Sequence, residues 1–164
     1  MATNIKITTP SDPTLVPFGR LVDILQAAFA DQDDIVDPPS SAKLVDVVEL
    51  KWRFSRDQLF LAQDAAARVV GQIWVEDVGK DAYLYKLAVD PALKGGGIGK
   101  LLVETACDYA KKAGKDNMRL HVRIELVGNV AFFESRGFEV AGEGIHDGFE
   151  RTTFWKMARR LSGS

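Results

Sequence analysis

Residues 87–102 read LAVDPALKGGGIGKLL: an apolar strand end, an Asp-Pro turn, four glycines within five positions and the start of a helix. Outward from that junction the pattern is regular. Downstream, Ile98, Leu101, Leu102, Thr105, Ala106, Tyr109 and Ala110 recur at helical spacing until Gly114, a C-terminal stop. Upstream, residues 58–63, 67–75 and 82–89 are rich in β-branched and aromatic side chains and are separated by turn formers, which predicts three strands. Before them, residues 4–8 read as a short strand. Leu15, Phe18, Leu21, Val22, Leu25 and Phe29 mark an amphipathic helix, and residues 31–39 read as a polar loop. Ser40 or Ser41 is placed to cap a helix over 42–54. After Gly114 come a strand over 118–124, a short helix over 129–136 ended by Gly137, and late strands over 138–141 and 151–158. Residues 161–164 read as a frayed tail. The order is α/β (α+β), and with no repeat or linker it predicts one domain over residues 1–164.

The 164 residues carry 21 Lys and Arg against 23 Asp and Glu, a formal charge of -2, the wrong sign for broad binding to nucleic acid or to an anionic membrane. Cys107 is alone and cannot form an internal disulfide, and no Cys and His spacing suits a structural zinc site. No segment reads as a secretion signal or a membrane span. These features lead us to expect a cytoplasmic protein without a metal.

The segment Lys94-Gly95-Gly96-Gly97-Ile98-Gly99-Lys100 lies between a strand and a helix, where consecutive backbone N–H groups and the helix dipole make an anion site. Two nucleotide fingerprints fail there. A Walker A loop needs glycine at position 94 and Ser or Thr at 101, which hold Lys94 and Leu101. A Rossmann fingerprint begun at Gly95 ends on Lys100, and one begun at Gly97 ends on Leu102. The stretch instead resembles the acetyl-CoA-binding motif of the GNAT superfamily of N-acetyltransferases: Arg or Gln, two residues, Gly, one residue, Gly or Ala. Lys94, Gly97 and Gly99 occupy those positions, and Lys94 departs from the pattern while keeping a positive charge. The order of elements over about residues 58–158 is similar to the family's as well.

The resemblance implies a mixed, mostly antiparallel sheet of about seven strands with helices on both faces. It implies that pantetheine lies along Leu87, Ala88 and Val89, where a backbone N–H near Val89 polarises the thioester, and that Gly95, Gly96, Gly97, Ile98, Gly99 and Lys100 hold the pyrophosphate. Lys111, Lys112 and Lys115 either assist those phosphates or form a solvated helix end. The family's general-acid Tyr falls on Phe133, which has no proton to give and is left to pack on pantetheine. The family's Asn falls on Leu126, and Asn129, one turn on, either substitutes for it or caps its helix.

The implied reaction is transfer of acetyl from acetyl-CoA to a primary amine of a small molecule or peptide by direct attack. An ammonium of pKa about 10.4 costs roughly 4.6 kcal/mol to deprotonate at pH 7, while a thiol near 8.5 costs roughly 2 kcal/mol to leave ionised, so the base matters more than the acid. Glu125 and His146 are the leading candidates for the base, with His121, Glu143 and Glu150 also near the expected cleft. Tyr83 and Tyr85 share one strand face and either fill it or touch substrate. Asp31, Asp33, Asp34 and Asp37 either draw a cationic amine or form a solvated loop. Trp52, Trp74 and Trp155 either line the acceptor pocket or bury in the core. The alternatives to an enzyme are a non-catalytic acyl-CoA sensor and an interaction domain, and a homodimer through the late strands is an expectation drawn from relatives.

Overall fold

Hydrophobic patterning sorts the chain into elements by how many of their faces are covered. A computed structural model describes residues 4–32, 35–38 and 44–161. Its strands are β1 (Lys6–Thr8), β2 (Gln58–Gln63), β3 (Val69–Val78), β4 (Asp81–Val89), β5 (Asn117–Arg123), β6 (Glu139–Gly144) and β7 (Phe154–Arg160). Its helices are α1 (Phe18–Phe29), α2 (Val47–Phe54), α3 (Ile98–Lys112) and α4 (Val127–Ser135). The strands form one seven-stranded sheet in the order β1-β2-β3-β4-β5-β7-β6, antiparallel throughout except for β4 against β5.

Seven consecutive buried residues open β3 because helices cover it on both sides. Ile98, Leu102, Val103, Ala106, Cys107 and Ala110 of α3 pack on one face with Phe60, Ile73 and Leu84. Leu21, Ile24 and Leu25 of α1 and Leu50 of α2 pack on the other with Leu59, Leu61 and Trp74. β5 alternates buried and exposed because only its α3 side is covered. Its other face, carrying His121, is open. Gln72, fully buried, ties α1 to the sheet: its Nε2 donates to Leu21 O at 2.9 Å, and Trp74 Nε1 donates to its Oε1 at 3.0 Å.

Sheet pairing stops short at the centre. β4 and β5 are in register only at Ala82 with Met118 and Tyr83 with Arg119, and beyond Tyr83 they diverge. On its other edge β4 carries a bulge, since Trp74 faces Tyr85 while Gln72 faces Ala88, and the extra residue Lys86 takes a left-handed φ of 52°.

Several boundaries differ from expectation. α2 starts at Val47 rather than at residue 42, capped by the Asp46 carboxylate, which accepts from Glu49 N at 2.8 Å and so satisfies one of the helix's free N–H groups. Ser40 and Ser41 lie outside the described residues. Leu15 sits in a short 3₁₀ turn before α1 and is exposed, and the expected polar loop after α1 opens with a 3₁₀ turn, Ala30–Gln32, and buries Val36. Leu161, expected to fray, is buried and donates its N–H to Asp116 O at 2.8 Å.

Candidate active site

The divergence of β4 from β5 opens a cleft of about 1060 Å³ that runs from the glycine loop to α1. At one end lies the loop. Gly97, the residue before α3, has φ 82° and gives the helix no side-chain cap, so the N–H groups of Ile98, Gly99 and Lys100 have no acceptor among the described residues. A left-handed φ at Gly95, 88°, continues this concave turn, and a Cβ at either glycine would stand in open space. A pyrophosphate fits that array of donors. Gly96 is the exception, because its N–H turns inward to Leu93 O at 3.3 Å and it is absent from the cleft wall.

Along β4 the ladder fixes which groups face the gap. Asp90 N donates to Val70 O at 2.8 Å, so by antiparallel alternation the N–H of Val89 points away from β3, toward the gap. Leu87, Ala88, Val89, Lys94, Gly95, Gly97, Ile98, Gly99, Lys100, Asn129 and Phe133 all line the cleft. The cap of α4 is Leu126, without a side-chain bond, so Asn129 does not cap its helix; it lines the cleft. Phe133 is 8% exposed and packs edge-on against Phe132 and Phe138 at 5.1 and 5.6 Å. Lys115 is bound to Asp77 at 2.6 Å and to Gly79 O at 2.7 Å, away from the loop.

The other half of the cleft has an aromatic floor. Trp74, Tyr85, Tyr83, His121, Phe154 and His146 follow one another with ring centroids 6.3, 6.1, 5.2, 4.7 and 5.1 Å apart. Trp74 is buried and anchors this row, Trp155 packs against the α3 core, and Trp52 is 52% exposed beneath Arg56. Burial, then the nearby Glu76, holds the Tyr83 phenol above its usual value. Burial with the Asp57 carboxylate, to which Tyr85 Oη donates, raises Tyr85 well above its usual range. Both stay protonated at neutral pH. Arg53 lies 4.9 Å over the Tyr85 ring and shares Glu49 with Lys86, at 3.0 and 3.2 Å.

Both histidines line the cleft and titrate below the ordinary value. For His121 burial is the main cause, with Lys156 and His146 adding to it; for His146 it is burial and then Arg123. They are therefore neutral at pH 7. His146 Nδ1 is paired with Thr153 Oγ1 at 2.5 Å, whereas His121 has no hydrogen-bond partner among the described residues. Glu125 stands outside the cleft wall: its Oε2 accepts from Asp37 N at 3.4 Å and lies 3.7 Å from Arg151, and its Oε1 is buried without a partner.

Asp37 is paired with Arg151 at 3.1 Å; Asp33 and Asp34, expected beside it, lie outside the described residues. Arg53, Lys86 and Arg123 escaped the sequence reading, although Arg123 follows His121 at the strand period of two, which puts it on the same face.

Residues 21–138 match the acetyltransferase (GNAT) family. The chain belongs to that family. It is 33% identical over 97 residues to an uncharacterised N-acetyltransferase of Methanocaldococcus jannaschii, covering 54% of this chain and 43% of the relative. It is 32% identical over 102 residues to the mycothiol acetyltransferase of Clavibacter sepedonicus, covering 62% of this chain and 33% of that protein. The chain thus spans about a third to two fifths of the length of these curated relatives. The GNAT fold itself is shared with the crystal structure of a PaiA N-acetyltransferase from Thermoplasma acidophilum in complex with coenzyme A, at TM-score 0.76 and 18% identity over 96% of this chain and 99% of the other.

Proposed function

We propose that residues 1–164 form a single acetyl-CoA-dependent N-acetyltransferase domain that passes an acetyl group to a primary amine by direct attack. One observation carries the reading: a single cleft joins unpaired backbone donors at the glycine loop to two neutral imidazoles on its floor. Acetyl-CoA, when bound, supplies an activated acyl group on a thioester. The residues of this chain do the rest. The N–H groups of Ile98, Gly99 and Lys100 hold the pyrophosphate, with Lys94 and Lys100 adding charge. The Val89 N–H stabilises the negative charge that grows on the thioester oxygen.

His121 takes the proton of the attacking ammonium. It stands on β5, the strand that forms the cleft wall opposite β4, with both ring nitrogens unengaged, and its lowered pKa keeps it able to accept at pH 7. His146, tied to Thr153, is the next imidazole along the floor. Glu125 positions the loop carrying Asp37 rather than touching substrate. Among the described residues of the cleft no phenol stands at the α4 position of Phe133, so the thiolate leaves unprotonated or takes its proton from water.

That same absence favours a second reading, a domain that binds acyl-CoA without turning it over. A melting shift with acetyl-CoA at hundreds of micromolar tests donor binding, and thiol release with polyamines, amino acids, aminoglycosides and peptides tests transfer. No shift sinks both readings. A shift with no thiol release from any amine leaves the second one.

A further inference from the structure

The geometry points to an acceptor that carries a carboxylate as well as its amine, an amino acid in chemical class, held by Arg123 at the outer end of the cleft. This rests on the N-acetyltransferase reading above and narrows its substrate. Three cationic side chains line the acceptor half of the cleft. Arg53 and Lys86 share the one carboxylate of Glu49, so each has an ion-pair partner although these three groups together keep one positive charge. Arg123 is different. It has no carboxylate within ion-pair distance among the described residues, its Nη2 donates only to Pro38 O, and its Nε is buried without a partner.

The carboxylates nearest along the chain and the loop, Glu125 and Asp37, favour the charged guanidinium without forming an ion pair with it. Asp37 is bound by Arg151 at 3.1 Å, and Glu125 turns its Oε2 to Asp37 N and Arg151, while its Oε1 is buried and bonded to none of the described residues. A buried guanidinium N–H with no acceptor is costly, and a planar carboxylate satisfies it in a fork. Arg123 also lies two residues from His121 on the same strand face, a Cα separation of about 6.6 Å, so an anion held there leaves the amine of a small molecule beside the imidazole. The neutral rings of His121, Phe154 and His146 between them offer apolar contact and no competing charge.

The test uses matched acceptors, amino acids against their amides and the corresponding decarboxylated amines, with the wild-type chain, Arg123→Gln and Arg123→Lys. We expect wild-type kcat/KM at least about tenfold higher for the acids than for the amides, falling to a ratio of about one in Arg123→Gln and to an intermediate ratio in Arg123→Lys. A second readout needs no turnover: N-acetylated amino acids should raise the melting temperature of the wild-type chain, their amides should not, and Arg123→Gln should lose the difference. Should Arg123→Gln fail to fold, Arg123→Lys carries the comparison. Equal rates on acids and amides, or a ratio untouched by the substitutions, overturns the carboxylate site and leaves the N-acetyltransferase reading standing. If acetyl-CoA stabilises the chain but no amine releases thiol, the N-acetyltransferase reading fails, and the melting shifts with N-acetylated acids and amides alone decide the Arg123 site.

Discussion

Phe133 stands where the family resemblance places a phenol, and it packs edge-on against Phe132 and Phe138. Leaving as a bare thiolate costs about 2 kcal/mol at pH 7, so an added acid can gain at most about thirtyfold. Phe133→Tyr should therefore raise kcat by no more than that near pH 7, and the gain should vanish above about pH 8.5, where the thiol ionises unaided. A larger gain would show that leaving-group protonation, not amine deprotonation, limits the reaction. On the proposed reading His121 carries the other proton. His121→Ala should lower kcat/KM by about 10² to 10⁴ while the acetyl-CoA melting shift persists. In the wild type, kcat/KM should fall on acidification through an apparent pKa below 6.5, and His121→Ala should lose that limb. Stability has a matching sign. A folded pKa depressed below 6.5 means that the unfolded chain binds the proton first, so stability is full above about pH 6.5 and declines as pH falls from there toward the folded value.

The β6–β7 hairpin sets the far wall of the cleft through one close approach. Gly144 pairs with Phe154, and a Cβ at Gly144 would fall within the Phe154 ring. Gly144→Ala must push that ring out of the row that joins His121 to His146, so we expect transfer to fall at least tenfold with a modest loss of melting temperature. Kinetics unchanged beside a folded spectrum would show that the row plays no part. Elements of this kind were legible in the sequence wherever periodicity is local. β2 was predicted over its observed bounds, and α3 and the strand before the glycine loop within about two residues, because their apolar repeats and turn formers sit in the elements themselves. The glycine loop and the helix start that follows it were legible for the same reason, since their geometry is set by backbone. The acceptor half was not. Asp57 meets Tyr85 across 28 positions and Arg123 meets Pro38 across 85, pairings fixed by how sheet and helices pack. The start of α2 was misplaced because Ser40 or Ser41 reads as the cap in the sequence, whereas it is the Asp46 side chain that accepts from Glu49 N.

At the scale of the whole molecule, the sheet separates two cores, which on the proposed reading serve different substrates. α3 and its core carry the glycine loop, while α1 and α2 roof the acceptor half, with Leu25 and Phe29 reaching the cleft. Gln72 joins the acceptor roof to the sheet, and it is the polar group between Leu21 O and Trp74 Nε1. Gln72→Leu leaves Trp74 Nε1 buried without a partner, at about 1–3 kcal/mol, while Leu21 O keeps its place in the α1 ladder. With about 2–4 °C lost per kcal/mol in a chain of this size, the melting temperature should drop by roughly 2–12 °C. Because the loop is carried by α3, the variant should still gain stability from acetyl-CoA, about 2.7 kcal/mol at a concentration of one hundred times Kd. Its KM for the amine should rise, since α1 is no longer pinned over the core on which Tyr85 packs. A rise in KM for the amine with donor stabilisation intact assigns the two cores to the two substrates. Loss of both together would mean that the sheet transmits the defect and that the division between donor and acceptor cores is not real.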